Sequence, residues 1–264
     1  AGSRSTINLN NYGLSIGSAA GAVSNLVVVD NGMITNAGPV AIGSGAKANF
    51  NQLVLTNGGQ LISSSTATFG GPGSSGNSVL LSGGGSLWDL GGVQLAIGNN
   101  GSTNNIMTVD GGGILGGAVV TNVGYFFVGG VSGNSDFNQL NVINGGRVYL
   151  TNAASYAYIG YTGGKSNSLL VDNGTFACAN ELALGFGAVG AGGGNSILIT
   201  NGASATAGSL FIGRYSGGFG SSNNWVLLGG TNSSGNLATL TLTNSLISMG
   251  NVQYSSSNRL TIGR

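Results

Sequence analysis

The sequence predicts an all-β chain wound into a parallel β-helix, a β-solenoid of about ten coils of 26–33 residues each. Three observations predict it. Of 264 residues 53 are Gly and only 5% are charged, against roughly 25% charged in an average soluble domain. Short segments alternate apolar and polar residues with the period of a strand. Two sequence anchors recur in fixed order at a spacing that suits one solenoid coil.

Composition excludes the other classes. Gly in a helix interior costs about 1 kcal/mol per position, and Glu, Lys, Arg and Gln are scarce. Hydrophobic residues reach 41% and there are only two Pro, so disorder through low hydrophobicity and a collagen repeat both fail. The net charge of +1 comes from scattered residues, with no basic patch for nucleic acid. The longest fairly apolar stretch, residues 116–131, is interrupted by Thr, Asn and Gly. It falls short of the roughly 20 apolar residues of a membrane helix. A single Cys builds no disulfide framework. That usage and the neutral polar composition point to an exported protein.

Each coil opens with an Asn. The anchors are Asn25, Asn51, Asn77, Asn105, Asn138, Asn167, Asn195 and Asn223, spaced 26, 26, 28, 33, 29, 28 and 28 residues apart. Weaker copies start near Ser5, Ala238 and Asn258. A short strand follows, such as Gln52-Leu53-Val54-Leu55-Thr56, whose alternation places two apolar residues on one face. A turn pair comes next, ending in Gly32, Gly58, Gly84, Gly112, Gly145, Gly174, Gly202 or Gly230, because these positions accept positive φ. A second apolar stretch follows, such as Gln60-Leu61-Ile62. A third ends on an apolar–Gly pair: Ile16-Gly17, Ile42-Gly43, Phe69-Gly70, Ile97-Gly98, Val128-Gly129, Ile159-Gly160, Leu184-Gly185 and Ile212-Gly213. A Gly/Ser/Asn loop then returns to the next Asn. One such unit cannot bury its apolar face alone, whereas stacked units can. At ~4.8 Å per coil the rod would be roughly 45 Å long. The whole chain, residues 1–264, reads as one domain, with residues 225–264 less regular. Stacked at one corner, the eight Asn would form a ladder, each amide donating to one neighbour and accepting from another.

The LxVxNGG…IG…GxxN character of these coils resembles the β-helix of autotransporter passenger domains and related bacterial surface proteins. More narrowly, it is similar to their autotransporter-associated β-strand repeats. The resemblance runs from about Ser5 to Gly263. It implies a right-handed coil, a bacterial cell-surface or extracellular location, and adhesin or glycan-binding passengers as an alternative function. The resemblance does not extend to an outer-membrane barrel.

Catalysis by a carbohydrate-active β-helix enzyme would need clustered acids. The acids are Asp30, Asp89, Asp110, Asp136, Asp172 and Glu181. Asp30, Asp110 and Asp172 share one repeat position, where Thr56, Ser82 and Thr200 substitute, which is turn chemistry. They fall in coils that are not neighbours, so no close carboxylate pair forms. With no His and one Cys a zinc site is not expected, and no Ca²⁺-binding nonapeptide or phosphate loop occurs. The expectation is no enzyme, no metal and no cofactor.

Tyr161, Phe186 and Tyr215 follow the apolar–Gly anchor in successive coils. They form either an intramolecular stack sealing that corner or a contact for a glycan or a neighbouring cell surface. Both ends lack a cap. Ile7 and Leu9 are already in register at one end, and Leu260 and Ile262 begin an unfinished coil at the other. Open edges invite pairing. The expected function is a non-enzymatic extracellular structural subunit of a fibre or surface layer. Its partner would be a second copy stacked head-to-tail, without nucleic acid or membrane insertion.

Overall fold

The structure, a computed structural model, describes residues 4–113, 116–186, 192–214, 221–250 and 255–263. Every pairing between its strands is parallel, which rules out an array of hairpins. The chain climbs as a β-solenoid of about eight turns, with three strand positions per layer.

The first face holds nine strands in register: Leu26–Asp30, Gln52–Thr56, Ser78–Ser82, Ile106–Asp110, Gln139–Ile143, Ser168–Asp172, Ser196–Thr200, Trp225–Leu228 and Arg259–Ile262. The other two faces belong to one bent sheet. Its second face includes Thr6–Asn8, Met33–Ala37, Gln60–Ser63 and Arg147–Leu150. Its third includes Leu14–Ile16, Val40–Ile42, Ala67–Phe69 and Tyr156–Ile159. In five layers one strand spans both faces: Leu87–Ile97, Val119–Val128, Thr175–Leu184, Ser204–Ile212 and Thr239–Met249. Three of these slip register at the bend, between Asp89 and Val93, Cys178 and Glu181, and Ala207 and Ser209.

The expected ten coils become about eight turns for a topological reason. The weak copies near Ser5 and Ala238 share the alternation of the first face but lie on the second, where Ile7 pairs with Ile34 and Leu240 with Ala205. Alternation alone does not say which face a strand occupies.

The interior is a single apolar column built from the inward residues of all three faces. In Gln52–Thr56 only Leu53 and Leu55 are buried. Trp88 is fully buried and stacks on Phe69 of the layer before, with ring centroids 5.9 Å apart. Its indole N–H donates to Ser63 Oγ at 3.1 Å, so the buried polar atom is satisfied. Each such side chain contributes about 1.5–3 kcal/mol on burial. No helix among the described residues is long and apolar enough to cross a membrane.

Candidate functional site: the amide ladder, the aromatic corner and the end layers

The Asn anchors form an amide ladder that is exposed at Asn25 and buried from Asn51 to Asn195. Asn25, Asn51, Asn77, Asn105, Asn138, Asn167 and Asn195 each send the side-chain N–H to the Oδ1 of the next layer, at 2.8–3.2 Å. The same Oδ1 also accepts the backbone N–H of the layer before, at 2.9–3.2 Å. The second amide hydrogen goes to a carbonyl at the corner in several layers, such as Ala22, Ala48, Ser135 and Gly164. From Asn51 to Asn195, both lone pairs and both hydrogens of these amides are therefore used inside the protein. The ladder has one polarity: earlier layers donate and later layers accept.

The eighth anchor needs correction. Asn195 bonds Asn224, and Asn224 bonds Asn258. Asn223 is exposed at φ 58°, in the left-handed position that precedes every ladder residue. Asn tolerates that conformation, so either residue of an Asn-Asn pair fits the pattern. The slip flips the following strand. Val226 and Leu228 face the core, whereas Trp225 and Leu227 face outward. A small residue stands three positions before each ladder Asn. Ser74, Ser102, Ser135 and Ser221 are buried there, and the hydroxyls of Ser102 and Ser221 accept the Asn amide of their own layer at 3.1 and 2.9 Å.

The apolar–Gly anchor is tied to the ladder. Gly17, Gly43, Gly98, Gly129, Gly160 and Gly213 all have positive φ. A Cβ at each would lie within 2.1–2.8 Å of side-chain atoms of Asn51, Asn77, Asn138, Asn167, Asn195 and Asn258, respectively. These glycines form the floor on which the amides rest. At the other corner the positive φ is shared between Asn and Gly. It falls on Gly58, Gly112, Gly145, Gly202 and Gly230, but on Asn31 and Asn173 in place of Gly32 and Gly174. Around Gly84 it falls on Gly83 and Gly85.

All five aspartates are engaged in structural hydrogen bonds. Asp30, Asp110 and Asp172 accept the amides of Asn57, Asn144 and Asn201 from the next layer, at 2.9, 3.2 and 2.8 Å. Asp89 accepts the Asn122 amide and Asp136 the Lys165 backbone N–H. No group of three or more His, Cys, Asp or Glu that could hold a metal occurs among the described residues.

Glu181 is the sixth acid, buried on the third face beside Tyr156. Arg214 pairs with its Oε2, while Oε1 has no partner. The same guanidinium lies over Phe211 at 4.2 Å and Phe186 at 5.6 Å. Tyr161 and Phe186 stack on each other, 5.3 Å apart at 10°. Both also pack on Tyr158, which stacks on Phe127 and Tyr156. Tyr156 in turn stacks on Tyr125 at 6°. These rings cover one another's faces along the rod. Tyr215 lies outside the described residues. Burial, then the charge of Glu181, pushes the Tyr158 hydroxyl well above the usual tyrosine range. Burial pushes the Cys178 thiol up to about 11.

The end layers expose the interior column. At one end Ile7 is 60% exposed, and Leu9 is half-buried against the core. At the other, Ile262 is 71% exposed, Ile247 and Met249 are exposed, and Leu240, Leu242 and Leu260 are half-buried.

No family model, curated protein or solved structure matches the chain.

Proposed function

We propose that the chain is a non-enzymatic structural β-solenoid of the bacterial surface-protein type, a subunit of an extracellular fibre or surface layer that stacks head-to-tail. The observation that carries this reading is the complementarity of its first and last layers. The nine-strand columns of the two sheets define what a further layer would meet. Continued in register, Leu240 would meet Ile7 of a second copy, Ile247 would meet Leu14, and Met249 would meet Ile16. On the first face, Leu260 would meet Val27 and Ile262 would meet Val29. Every one of these pairs is apolar and inward-facing.

The ladder supplies direction. Asn258 closes it with its Oδ1 bonded by Asn224, and its backbone N–H makes no hydrogen bond among the described residues. Asn25 opens it with an Oδ1 that accepts from no described residue. The next rung would have Asn258 donating to Asn25 of the following copy, as in every rung between them. Such a heterologous contact does not close and extends into a filament.

The test is electron microscopy of the full chain over a range of concentrations. Filaments with the ~4.8 Å layer repeat are expected, and Leu260→Lys with Ile262→Lys should leave folded short rods. Monodisperse rods at every concentration, or filaments unaffected by the two lysines, would overturn the reading.

A further inference from the structure

The corrected register exposes Trp225 and builds a groove around it. Trp225 faces outward on the first face, 39% exposed, with Ser196 beside it in one layer and Arg259 in the next. Ser196 is too short to cover an indole, so the ring keeps a face toward solvent. Leu227 and Thr261 form the neighbouring column. Asn223 and Ser257, both in the left-handed conformation, form the corner rim. Trp225, Arg259, Leu227, Thr261, Asn223 and Ser257 line a groove of about 430 Å³, within the size range of small-ligand sites.

The groove contains a cation and no carboxylate. Arg259 Nε donates to Thr261 Oγ1 at 2.8 Å, which holds the guanidinium on the sheet surface. Its Nη atoms make no hydrogen bond or ion pair among the described residues. The Asn223 amide and the Ser257 hydroxyl likewise have no hydrogen-bond partner among the described residues. An apolar ring face, a free guanidinium fork, an amide and a hydroxyl therefore converge on one open site.

We propose that this groove binds an acidic polysaccharide, one carboxylated sugar at a time. The apolar face of the sugar ring stacks on Trp225. Its carboxylate takes the two free Nη donors of Arg259 in bidentate fashion. Its hydroxyls bond Asn223 and Ser257. A neutral sugar would keep the stacking and lose the charged pair. A nucleic acid would also offer anions and flat rings. However, the lining holds one cation, whereas strand binding without sequence preference uses a basic track and several stacking aromatics. The site lies on a lateral face, so it goes beyond the structural reading and does not require end-to-end assembly.

The two tryptophans make the test direct. Trp88 is fully buried, so ligand-dependent quenching reports Trp225. An oligomer of a hexuronic acid is titrated into the full chain at a concentration where it is unassembled. A neutral hexose oligomer of equal length and a single-stranded oligonucleotide are titrated alongside. Quenching by the hexuronate oligomer is expected, with about tenfold weaker binding of the neutral one. Arg259→Gln should remove that preference, and Trp225→Ala should lose retention on an immobilised polyuronate by about tenfold or more. Both side chains are outward, so the circular dichroism spectrum should not change. Equal affinity for acidic and neutral oligomers, undiminished retention by Trp225→Ala, or equal binding of the oligonucleotide would overturn the proposal. Filament formation, read separately, bears only on the end-to-end reading.

Discussion

Replacing Gly160 by Ala tests the link between the two sequence anchors. Gly160 sits at φ 77°, and an added Cβ would lie 2.3–2.5 Å from the Nδ2, Cγ and Oδ1 of Asn195. A left-handed Ala costs about 1–2 kcal/mol. The collision adds more, because the Asn195 amide has no free space to move into. It accepts the Asn167 backbone and side-chain N–H at 2.9 and 3.2 Å, and donates to Gly164 O and Asn224 Oδ1 at 3.1 and 3.0 Å. Displacing it leaves one or two buried groups unbonded, at about 1–3 kcal/mol each. The expected loss is on the order of 2–8 kcal/mol. Gly92 is the control: its φ is 87° but nothing lies within 4 Å of an added Cβ. Gly92→Ala should therefore cost only the conformational part, about 1–2 kcal/mol. Urea denaturation followed by circular dichroism gives both values from midpoint and slope. A double-mutant cycle isolates the collision. In an Asn195→Ala background, the penalty of Gly160→Ala should shrink to the Gly92→Ala level. If Gly160→Ala is no worse than Gly92→Ala, or its penalty is unchanged without the Asn195 amide, the ladder-floor argument is wrong.

Four further outcomes are expected. Asn138→Ala should lower stability by about 3 kcal/mol or more, since it leaves buried N–H groups of Asn105 unbonded. Asn223→Gly, at the exposed left-handed position, should stay within about 0.5 kcal/mol, and equal effects in urea melts would contradict the corrected register. Arg214→Ala should destabilise the protein at neutral pH by on the order of 3 kcal/mol, because it strips the cation from the buried Glu181; a neutral result would mean the carboxylate is hydrated. Cys178 is held protonated, its thiol raised from 9.0 to about 11. The raised value stabilises the fold below pH 9 and is lost as pH climbs from 9 to about 11. The difference in alkaline stability between the native chain and Cys178→Ala over that window should therefore approach about 3 kcal/mol. A parallel pH dependence of the two chains would show that the thiol is not buried.

The repeat was legible because its causes are local. A left-handed corner needs Gly or Asn whatever surrounds it. A strand inside a stack needs alternation, and a layered amide needs Asn at one offset. Those demands name the fold class, seven of the ladder residues and the apolar–Gly anchor directly. They also account for the scarcity of charge, since like positions lie ~4.8 Å apart in the stack. The number of turns was not legible, because the segments near Ser5 and Ala238 carry the alternation of one face but pair on another. Nor was the phase at Asn223-Asn224, where two residues satisfy the same local rule. Only the pairing of Ile197 with Val226 decides it.

That single decision also moved the candidate binding surface. Tyr161 and Phe186, prominent in the sequence, spend their ring faces on each other and on Tyr158. Trp225 reads as a core residue in the wrong phase and becomes the exposed wall of a groove in the right one. The sequence alone determined the stacked coil, because each layer repeats the same backbone requirement. Only the tertiary structure decided which side chains of that coil meet solvent. The outward face of a layer depends on its register against its neighbours, and a slip of one residue reverses it.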